Sequence, residues 1–340
     1  MSSRVIGAER QILRNALRSM QNRFTHQLRE VVADALKDSV NAMIRLDEKL
    51  EPDAAMATAV ERMSRQGYAP LGDVLGPERV AEARAYFESI PFYSSRDYGQ
   101  AFGVIDFPDD ESHAFPTGYF RLEDVAAAPH LLETALGVLC RGVATHYIGC
   151  TPTLYGLDAW WSFASGNGRF RHVTDYHRSL DDYRACHLYI LLTDVDERTG
   201  THEIIRSTHR MDACEAMLET AQVSDDETWN YTLVGRGRLD LRQMFVGNGA
   251  GKNDAYKDLF AGAFDRIYGP AGTTYVVEPF ALQLPITAKR GRILVFRASF
   301  GLFDNAGAAT VRPRPVPRAM IENRLPDDTR FQYIHRLLFR

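Results

Sequence analysis

The sequence predicts a mainly β protein with flanking helices, built around an antiparallel sheet or barrel. The first observation is the stretch 169–210, where strand-like runs such as HLYILLTDV alternate with polar turns such as DERTG. A second group of strand-like runs, TTYVVEPFALQL and RILVFRASF, follows a GPAG turn. Both regions have the β-branched and aromatic bias of buried strands, so we expect them to supply the sheets.

Composition excludes several classes of protein. The chain has 340 residues, 45% hydrophobic and 25% charged, which is enough for one large domain and an appendage. A net charge of −4 gives no electrostatic case for a nucleic-acid partner. The four cysteines show neither CxxC spacing nor a disulfide framework, which predicts a reducing, cytoplasmic location. We find no apolar run of membrane-spanning length and no signal-peptide core.

The N-terminal region predicts helices. Residues 8 to about 50 have apolar positions at steps of three and four, and the first 30 residues carry six Arg against two Glu. A basic amphipathic helix of this kind suits peripheral contact with an anionic membrane. The narrow apolar stripe favours the alternative, packing on the barrel or on its copy in a homodimer. A second helix is expected up to about Arg65, so that residues 1–65 form a helical extension.

Between this extension and the first long strands, the pattern is mixed. Residues 66–91 predict a short strand, a turn and an amphipathic helix. Residues 92–120 are rich in Tyr, Phe, Asp and Gly and predict a loop over the mouth of a site. Trp160 and Trp161 are adjacent on a predicted strand, so their side chains should lie on opposite faces.

Half of the chain's histidines lie in the stretch 169–210. Imidazoles held on strands suit a metal centre, although a histidine on a strand is more often a hydrogen-bonded core residue. These five are His172, His177, His187, His202 and His209.

Three phrases carry a family resemblance: YHRSLDDYR, LYILLTDVDERTGTHEIIRSTHR and GPAGTTYVVEPFALQLPITAKRGRILVFRASFG. Together they resemble the signature of the phytanoyl-CoA dioxygenase-like family of Fe(II)/2-oxoglutarate oxygenases, over roughly residues 66–305. The resemblance implies a double-stranded β-helix core of the jelly-roll, cupin-like kind over residues 66–310. Residues 211–268 would be an insertion in this domain, and 311–340 a C-terminal arm.

The resemblance also locates the family's metal and co-substrate positions, and there the chain departs from the pattern. The family's HxD pair begins at His177, but the carboxylate position holds Ser179. The distal histidine falls on Gln283, and the arginine that receives 2-oxoglutarate falls on Arg292. Serine and glutamine are neutral, weak oxygen donors, so the family's iron centre is predicted to be lost.

An alternative set of metal ligands has to be weighed against that loss. Asp175 and His177 form a reversed DxH pair, and residues two apart on a strand share a face. His187 or His209 would then complete the set. The preferred interpretation is that Asp175 is a solvated turn residue.

The sequence thus predicts a barrel that works without a cofactor. It would bind a small, anionic molecule, or catalyse a different reaction with His177 as general acid or base and Arg292 as substrate clamp. One alternative is an active hydroxylase that uses Fe(II) and 2-oxoglutarate through rebuilt ligands. Another is a non-catalytic partner subunit of an active enzyme.

Overall fold

The computed structural model shows a mainly β core with helices on one side. It describes residues 26–44, 50–96, 98–104, 115–164, 176, 182–210, 212–213, 216–217, 260–302 and 314–340. The helices in this part of the chain are α1 (His26–Met43), α2 (Ala54–Gln66), α3 (Pro77–Ser89), α4 (Leu122–Ala127), α5 (Leu131–Ala135), α6 (Val138–Ile148) and α7 (Thr329–His335). The strands are β1 (Tyr68–Asp73), β2 (Phe92–Tyr93), β3 (Ala101–Phe102), β4 (Thr117–Tyr119), β5 (Thr153–Phe163), β6 (Ala185–Leu191), β7 (Gly200–Ile205), β8 (Phe264–Ile267), β9 (Thr273–Val277), β10 (Gln283–Ala288) and β11 (Arg292–Gly301).

The strands form two facing antiparallel sheets. The larger has eight described strands in the order β1-β9-β6-β11-β5-β4-β2-β3, and the smaller has three in the order β10-β7-β8. From β6 onward the chain passes back and forth between them: β6 is in the larger sheet, β7 and β8 in the smaller, β9 in the larger, β10 in the smaller and β11 in the larger. This alternation is the double-stranded β-helix that the family resemblance implies.

Each face of the larger sheet packs against a different layer. On the outer face, Trp161, Leu294 and Phe296 join the core cluster that the helices cover. On the inner face, Tyr189 and Val295 join a second cluster shared with the smaller sheet. Residues alternate between the two faces along each strand.

Trp160 and Trp161 follow this alternation, as predicted. Trp161 is fully buried on the outer face, and Trp160 packs against the inner cluster. The adjacent tryptophans therefore serve two different cores.

The second predicted helix is confirmed as α2. The Asp53 side chain caps its N-terminus by accepting a hydrogen bond from the Met56 amide at 2.8 Å. Gly67 ends it in the left-handed conformation, at a φ of 84°. The apolar face of α2 is buried through Met56, Ala59 and Met63. Both helix boundaries thus follow from local sequence signals.

The described part of the first predicted helix, α1, packs on the barrel. Arg29 of α1 forms a buried ion pair with Glu278, with Nη1 at 3.3 Å from Oε1. The Arg29 guanidinium also lies 3.9 Å from the centre of the Phe280 ring, and the Tyr147 hydroxyl donates a hydrogen bond to Glu278. Residues 1–25 lie outside the described residues, and membrane contact and homodimer formation through this region stay predictions.

Three segments differ from the prediction. The predicted loop 92–120 contains the short strands β2, β3 and β4, which extend the larger sheet because each pairs with a neighbour. The predicted insertion 211–268 ends too late, since β8 pairs with β7 in the smaller sheet. In the C-terminal arm, residues 314–340 fold into short helical segments. Arg324 forms an ion pair with Glu133 of α5, with Nε at 2.6 Å from Oε1.

No helix in the described ranges has the length and hydropathy needed to cross a membrane. Cys140, Cys150 and Cys186 are buried free thiols, whereas Cys214 lies outside the described residues.

We expect Arg29→Ala to lower the free energy of unfolding by about 3 kcal/mol, because it leaves the carboxylate of Glu278 buried without its counter-charge. Urea denaturation followed by circular dichroism measures this loss. The control is Lys37→Ala on the same helix, whose ion pair with the exposed Asp34 is worth about 0.5 kcal/mol or less. Equal losses in the two variants would contradict a specific role for the buried pair.

Candidate functional site

A row of polar and aromatic side chains crosses the inner face of the larger sheet. The strand register places Asp158 of β5 opposite Arg297 of β11, and Arg297 opposite Tyr189 of β6. Tyr189 in turn lies opposite Tyr275 of β9, and their rings stack at 5.2 Å between centroids. Four neighbouring strands thus contribute one residue each to a continuous surface that faces the barrel interior.

Arg297 and Asp158 form the charged end of this row. Arg297 Nη2 lies 2.7 Å from Asp158 Oδ2, and Arg96 Nη1 lies 3.2 Å from Asp158 Oδ1. Burial alone would raise the pKa of Asp158, but the Arg297 and Arg96 guanidinium groups outweigh it and hold that pKa well below its usual range. The carboxylate is therefore ionised, and it balances the charge of the arginine that faces the interior.

Arg292, the predicted anion clamp, lies on the opposite face of β11 from Arg297. Its guanidinium is 5.4 Å from the centre of the Trp161 ring, and its Nη1 donates to the Val104 carbonyl at 3.2 Å. Arg292 shares its face with Leu294 and Phe296, the face that the helices cover. Residues five apart on a strand point to opposite sides, so only one of these two arginines can face the interior.

Gln283, the predicted distal position, begins β10 and is held by hydrogen bonds within the protein. Its Nε2 donates to the Pro279 carbonyl at 3.3 Å, which fixes the orientation of the amide because a carbonyl only accepts. Its Oε1 then accepts from His202 Nε2 at 3.0 Å. Both ends of the Gln283 side chain therefore contact protein groups.

His202 continues this path to the larger sheet. Its Nδ1 lies 3.1 Å from the Tyr275 hydroxyl. Burial raises the pKa of Tyr275 well above its usual value, so the phenol stays protonated and its O–H donates a hydrogen bond to His202 Nδ1. The result is a chain of hydrogen bonds, from Tyr275 through His202 and Gln283 to Pro279, that joins the two sheets.

His187 and His209, two predicted alternative ligands, lie in different surroundings. His187 is on the inner face, and its Nε2 is 2.8 Å from the Tyr155 hydroxyl. Burial, together with the nearby Arg297, holds the pKa of His187 well below its usual value, so the ring is neutral. His209 lies beyond β7, and its Nε2 donates to the Ser64 carbonyl of α2 at 3.0 Å. The structure therefore does not bring these two imidazoles together.

The remaining predicted site residues, His177, Ser179 and Asp175, lie outside the described residues, as does His172. Their roles stay predictions. The intervening Tyr176 is described, and it is buried with its hydroxyl bonded to the Glu203 carboxylate.

The described residues were compared with the ligand set of an iron centre. A facial triad needs two imidazoles and a carboxylate on one side of the metal. Within the described ranges, no group of three or more His, Cys, Asp or Glu side chains is arranged to hold a metal ion. At Gln283, where the resemblance predicts the distal ligand position, the amide is hydrogen-bonded to His202 and Pro279.

Sequence reasoning missed the partners that define this site: Asp158, Arg297, Tyr189 and Tyr275. The signal for Arg297 was present, since its offset of five from Arg292 requires opposite faces. Which face turns inward depends on where the helices pack.

A cavity of about 240 Å³ lies against His130, Gly137 and Cys140 in the helical layer and shares no lining residue with the inner face.

Comparisons with known proteins find solved structures of low similarity. No protein-family model and no curated protein matches the chain. Among solved structures, AviO1 from Streptomyces viridochromogenes Tue57 is 15% identical, with 78% of this chain and 99% of that chain covered and a TM-score of 0.43.

Two further solved structures are similar at the same level. SnoK, a non-heme alpha ketoglutarate dependent carbocyclase from nogalamycin biosynthesis, is 13% identical, with 74% and 86% covered and a TM-score of 0.45. EctD from S. alaskensis is 13% identical, with 75% and 82% covered and a TM-score of 0.45. At these values the strand order carries the assignment of the fold, and the resemblance to the phytanoyl-CoA dioxygenase-like family stays a prediction.

We expect Asp158→Asn to lower the free energy of unfolding by about 2 kcal/mol at neutral pH, because two guanidinium groups lose their counter-charge. The folded pKa of Asp158 is depressed, so its stabilisation is present above the unfolded pKa of about 3.9 and is lost as the pH falls below it. Urea titrations at pH 7 and pH 3 should show the difference between variant and wild type shrinking at the lower pH. Glu61→Gln, in an exposed pair, is the control. A difference independent of pH would contradict the ionised pair.

We expect Tyr275→Phe to lower the free energy of unfolding by about 1–2 kcal/mol, because His202 Nδ1 loses its buried donor. The matched control is Tyr333→Phe, since the buried Tyr333 hydroxyl has no hydrogen-bond partner within the described residues. Chemical denaturation measures both. The two variants should differ clearly, and equal stability would argue against the Tyr275–His202 bond.

Proposed function

We propose that this protein is an oxygenase-fold barrel that has lost the Fe(II)/2-oxoglutarate centre and binds a small polar or anionic molecule without a metal. The ligand would lie on the inner face, where Arg297, Tyr189 and Trp160 converge. The protein's own side chains would then supply all the polar contacts to the ligand.

The observation that carries this proposal is the position of Gln283. Where the resemblance expects a metal-binding imidazole, a neutral amide donates to Pro279 and accepts from His202. A metal at this position would have to compete for Oε1 with the His202 proton. Breaking that bond would leave a buried polar group unsatisfied, at a cost of roughly 1–3 kcal/mol.

A second observation supports the same conclusion. The arginine of β11 that faces the interior, Arg297, is paired with Asp158. A carboxylate of 2-oxoglutarate would have to displace Asp158 from Arg297 or share the guanidinium of Arg297 with it. A ligand that uses both groups, with an anionic part for Arg297 and a hydrogen-bond donor for Asp158, suits the pair better.

The neutral pair of His187 and Tyr155 adds a polar contact next to this position. Burial keeps the His187 ring uncharged, and the ring shares a hydrogen bond with the Tyr155 hydroxyl. The pair therefore adds no net charge to the inner face. A barrel with this pair can position a hydroxyl or carbonyl group of a ligand. Turnover through His177 stays a further hypothesis.

The proposal is tested by anaerobic reconstitution with Fe(II) and 2-oxoglutarate. We expect the wild-type chain to retain far less than one iron per chain after desalting, and to form no succinate from 2-oxoglutarate. Iron is measured by a colorimetric chelator, and succinate by chromatography. Stoichiometric iron together with succinate formation would overturn the proposal and establish the rebuilt-ligand hydroxylase.

Restoring the family's ligands should restore iron affinity. We expect the double variant Ser179→Asp with Gln283→His to bind Fe(II) at least roughly tenfold more tightly than wild type, since even the loss of an outer hydrogen-bond partner costs a metal site that much. Gln332→His places an imidazole on the exposed face of α7 and controls for adventitious binding. Unchanged affinity in the double variant would mean that the sequence register of the metal positions is wrong.

A further inference from the structure

The inner face of the larger sheet continues beyond the seam of the barrel. At the seam, Ser162 of β5 accepts a hydrogen bond from the Ala288 amide of β10 at 3.0 Å and donates to the Ile286 carbonyl at 3.2 Å. The larger sheet extends past β5 through β4 and β2, whereas β10 is the last described strand of the smaller sheet on this side. Tyr119 of β4 lies opposite Trp160 of β5, and Tyr93 of β2 lies opposite Tyr119. Tyr119 and Tyr93 are therefore on the same inner face as Trp160.

Arginines stack on the aromatic rings of this extension. The Arg96 guanidinium is 4.8 Å from the centre of the Tyr119 ring. The Arg121 guanidinium lies over two rings, at 4.5 Å from Tyr93 and 5.8 Å from Tyr98. At the inner end, the Arg297 guanidinium is 5.6 Å from the Trp160 ring. We call this surface the arginine–aromatic ledge; it consists of Tyr93, Arg96, Tyr98, Tyr119, Arg121, Trp160 and Arg297.

The ledge has three arginines, and one carboxylate, that of Asp158, forms ion pairs with two of them. Asp158 is bonded to both Arg96 and Arg297. Arg121 forms no ion pair with any described residue, although Asp124 accepts a hydrogen bond from the Arg121 backbone amide at 3.3 Å. Two of the three guanidinium groups, those of Arg96 and Arg297, thus share the carboxylate of Asp158, and the Arg121 side chain is not bonded to it.

The outer part of the ledge is open to a ligand. Arg96 and Arg121 are exposed, and Tyr98, Tyr119 and Trp160 are half-buried. Rings of this kind offer flat apolar surface, and a planar guanidinium binds a carboxylate through two parallel hydrogen bonds. Stacked arginines are also less strongly hydrated than lysines, which lowers the cost of covering them.

We propose that the arginine–aromatic ledge binds a planar aromatic carboxylate, with the ring stacked among the tyrosines and the carboxylate held by Arg121 and Arg96. This inference rests on the proposed function, because it names the class of ligand that the barrel takes. The ledge leads to Arg297 and Trp160, so a ligand anchored there extends toward the inner face. Neither iron nor 2-oxoglutarate takes part.

Isothermal titration calorimetry with three matched probes tests the ledge. The probes are 2-naphthoate, its uncharged amide 2-naphthamide, and the non-aromatic cyclohexanecarboxylate. We expect 2-naphthoate to bind at least roughly tenfold more tightly than either of the others, because only it supplies both the ring and the charge. Equal affinity for the amide, or for the cyclohexane acid, would overturn the proposal.

Variants then locate the binding. Arg121→Gln should weaken 2-naphthoate binding by roughly five- to tenfold, and Arg121→Lys, which keeps the charge but not the planar group, should fall between it and wild type. The control is Arg84→Gln, which removes an exposed arginine of α3 that pairs with Glu88. Wild-type affinity in Arg121→Gln, or an equal loss in Arg84→Gln, would place the binding elsewhere.

Circular dichroism of each variant shows that a loss of binding is not a loss of fold, and Arg121→Lys serves if Arg121→Gln unfolds. The experiment contains no metal, so its outcome is separate from that of the iron assay. Naphthoate binding together with iron-dependent succinate formation would sink the proposed function and leave the ledge intact. Absence of both would sink the ledge and leave the proposed function intact.

Discussion

The hydrogen-bonded path from Tyr275 through His202 and Gln283 to Pro279 holds the two sheets of this barrel in one arrangement. Each of these groups is buried, and an unsatisfied buried polar group costs roughly 1–3 kcal/mol. A relative shift of the sheets would break the bond between Tyr275 of β9 and His202 of β7, which joins the larger sheet to the smaller one. The same path holds the Gln283 side chain, at the start of β10, in hydrogen bonds to His202 and Pro279. Its amide is therefore part of the structure of the interior.

The charge on the inner face depends on a similar constraint. An arginine directed into a low-dielectric interior needs a partner, and Asp158 provides it from the neighbouring strand. Because Asp158 also contacts Arg96, the charge balance links the interior to the ledge outside the seam. A ligand that enters meets a surface whose positive and negative groups are already arranged, and it gains most by matching both.

The N-terminal helix contributes to this arrangement at a distance. Arg29 of α1 pairs with Glu278, and the segment from there to Gln283 is the turn that leads into β10. Glu278 also donates its backbone amide to the Gly67 carbonyl at 2.8 Å and accepts from the Phe280 amide at 3.3 Å. The helical extension therefore helps to fix the turn that orients the Gln283 amide.

The sequence by itself determined the helix α2 and the facing of the adjacent tryptophans, because strand alternation, the Asp53 cap and the Gly67 terminus are properties of a few neighbouring residues. The family resemblance also predicts that the neutral residue Gln283 stands where that family has a metal-binding imidazole. Only the tertiary structure decided that Arg297 and not Arg292 faces the interior, since the helices cover one face of β11 and the smaller sheet covers the other. Only the tertiary structure could bring His202, Tyr275 and Gln283 together, because contacts between strands so far apart in the chain depend on the register of the sheets.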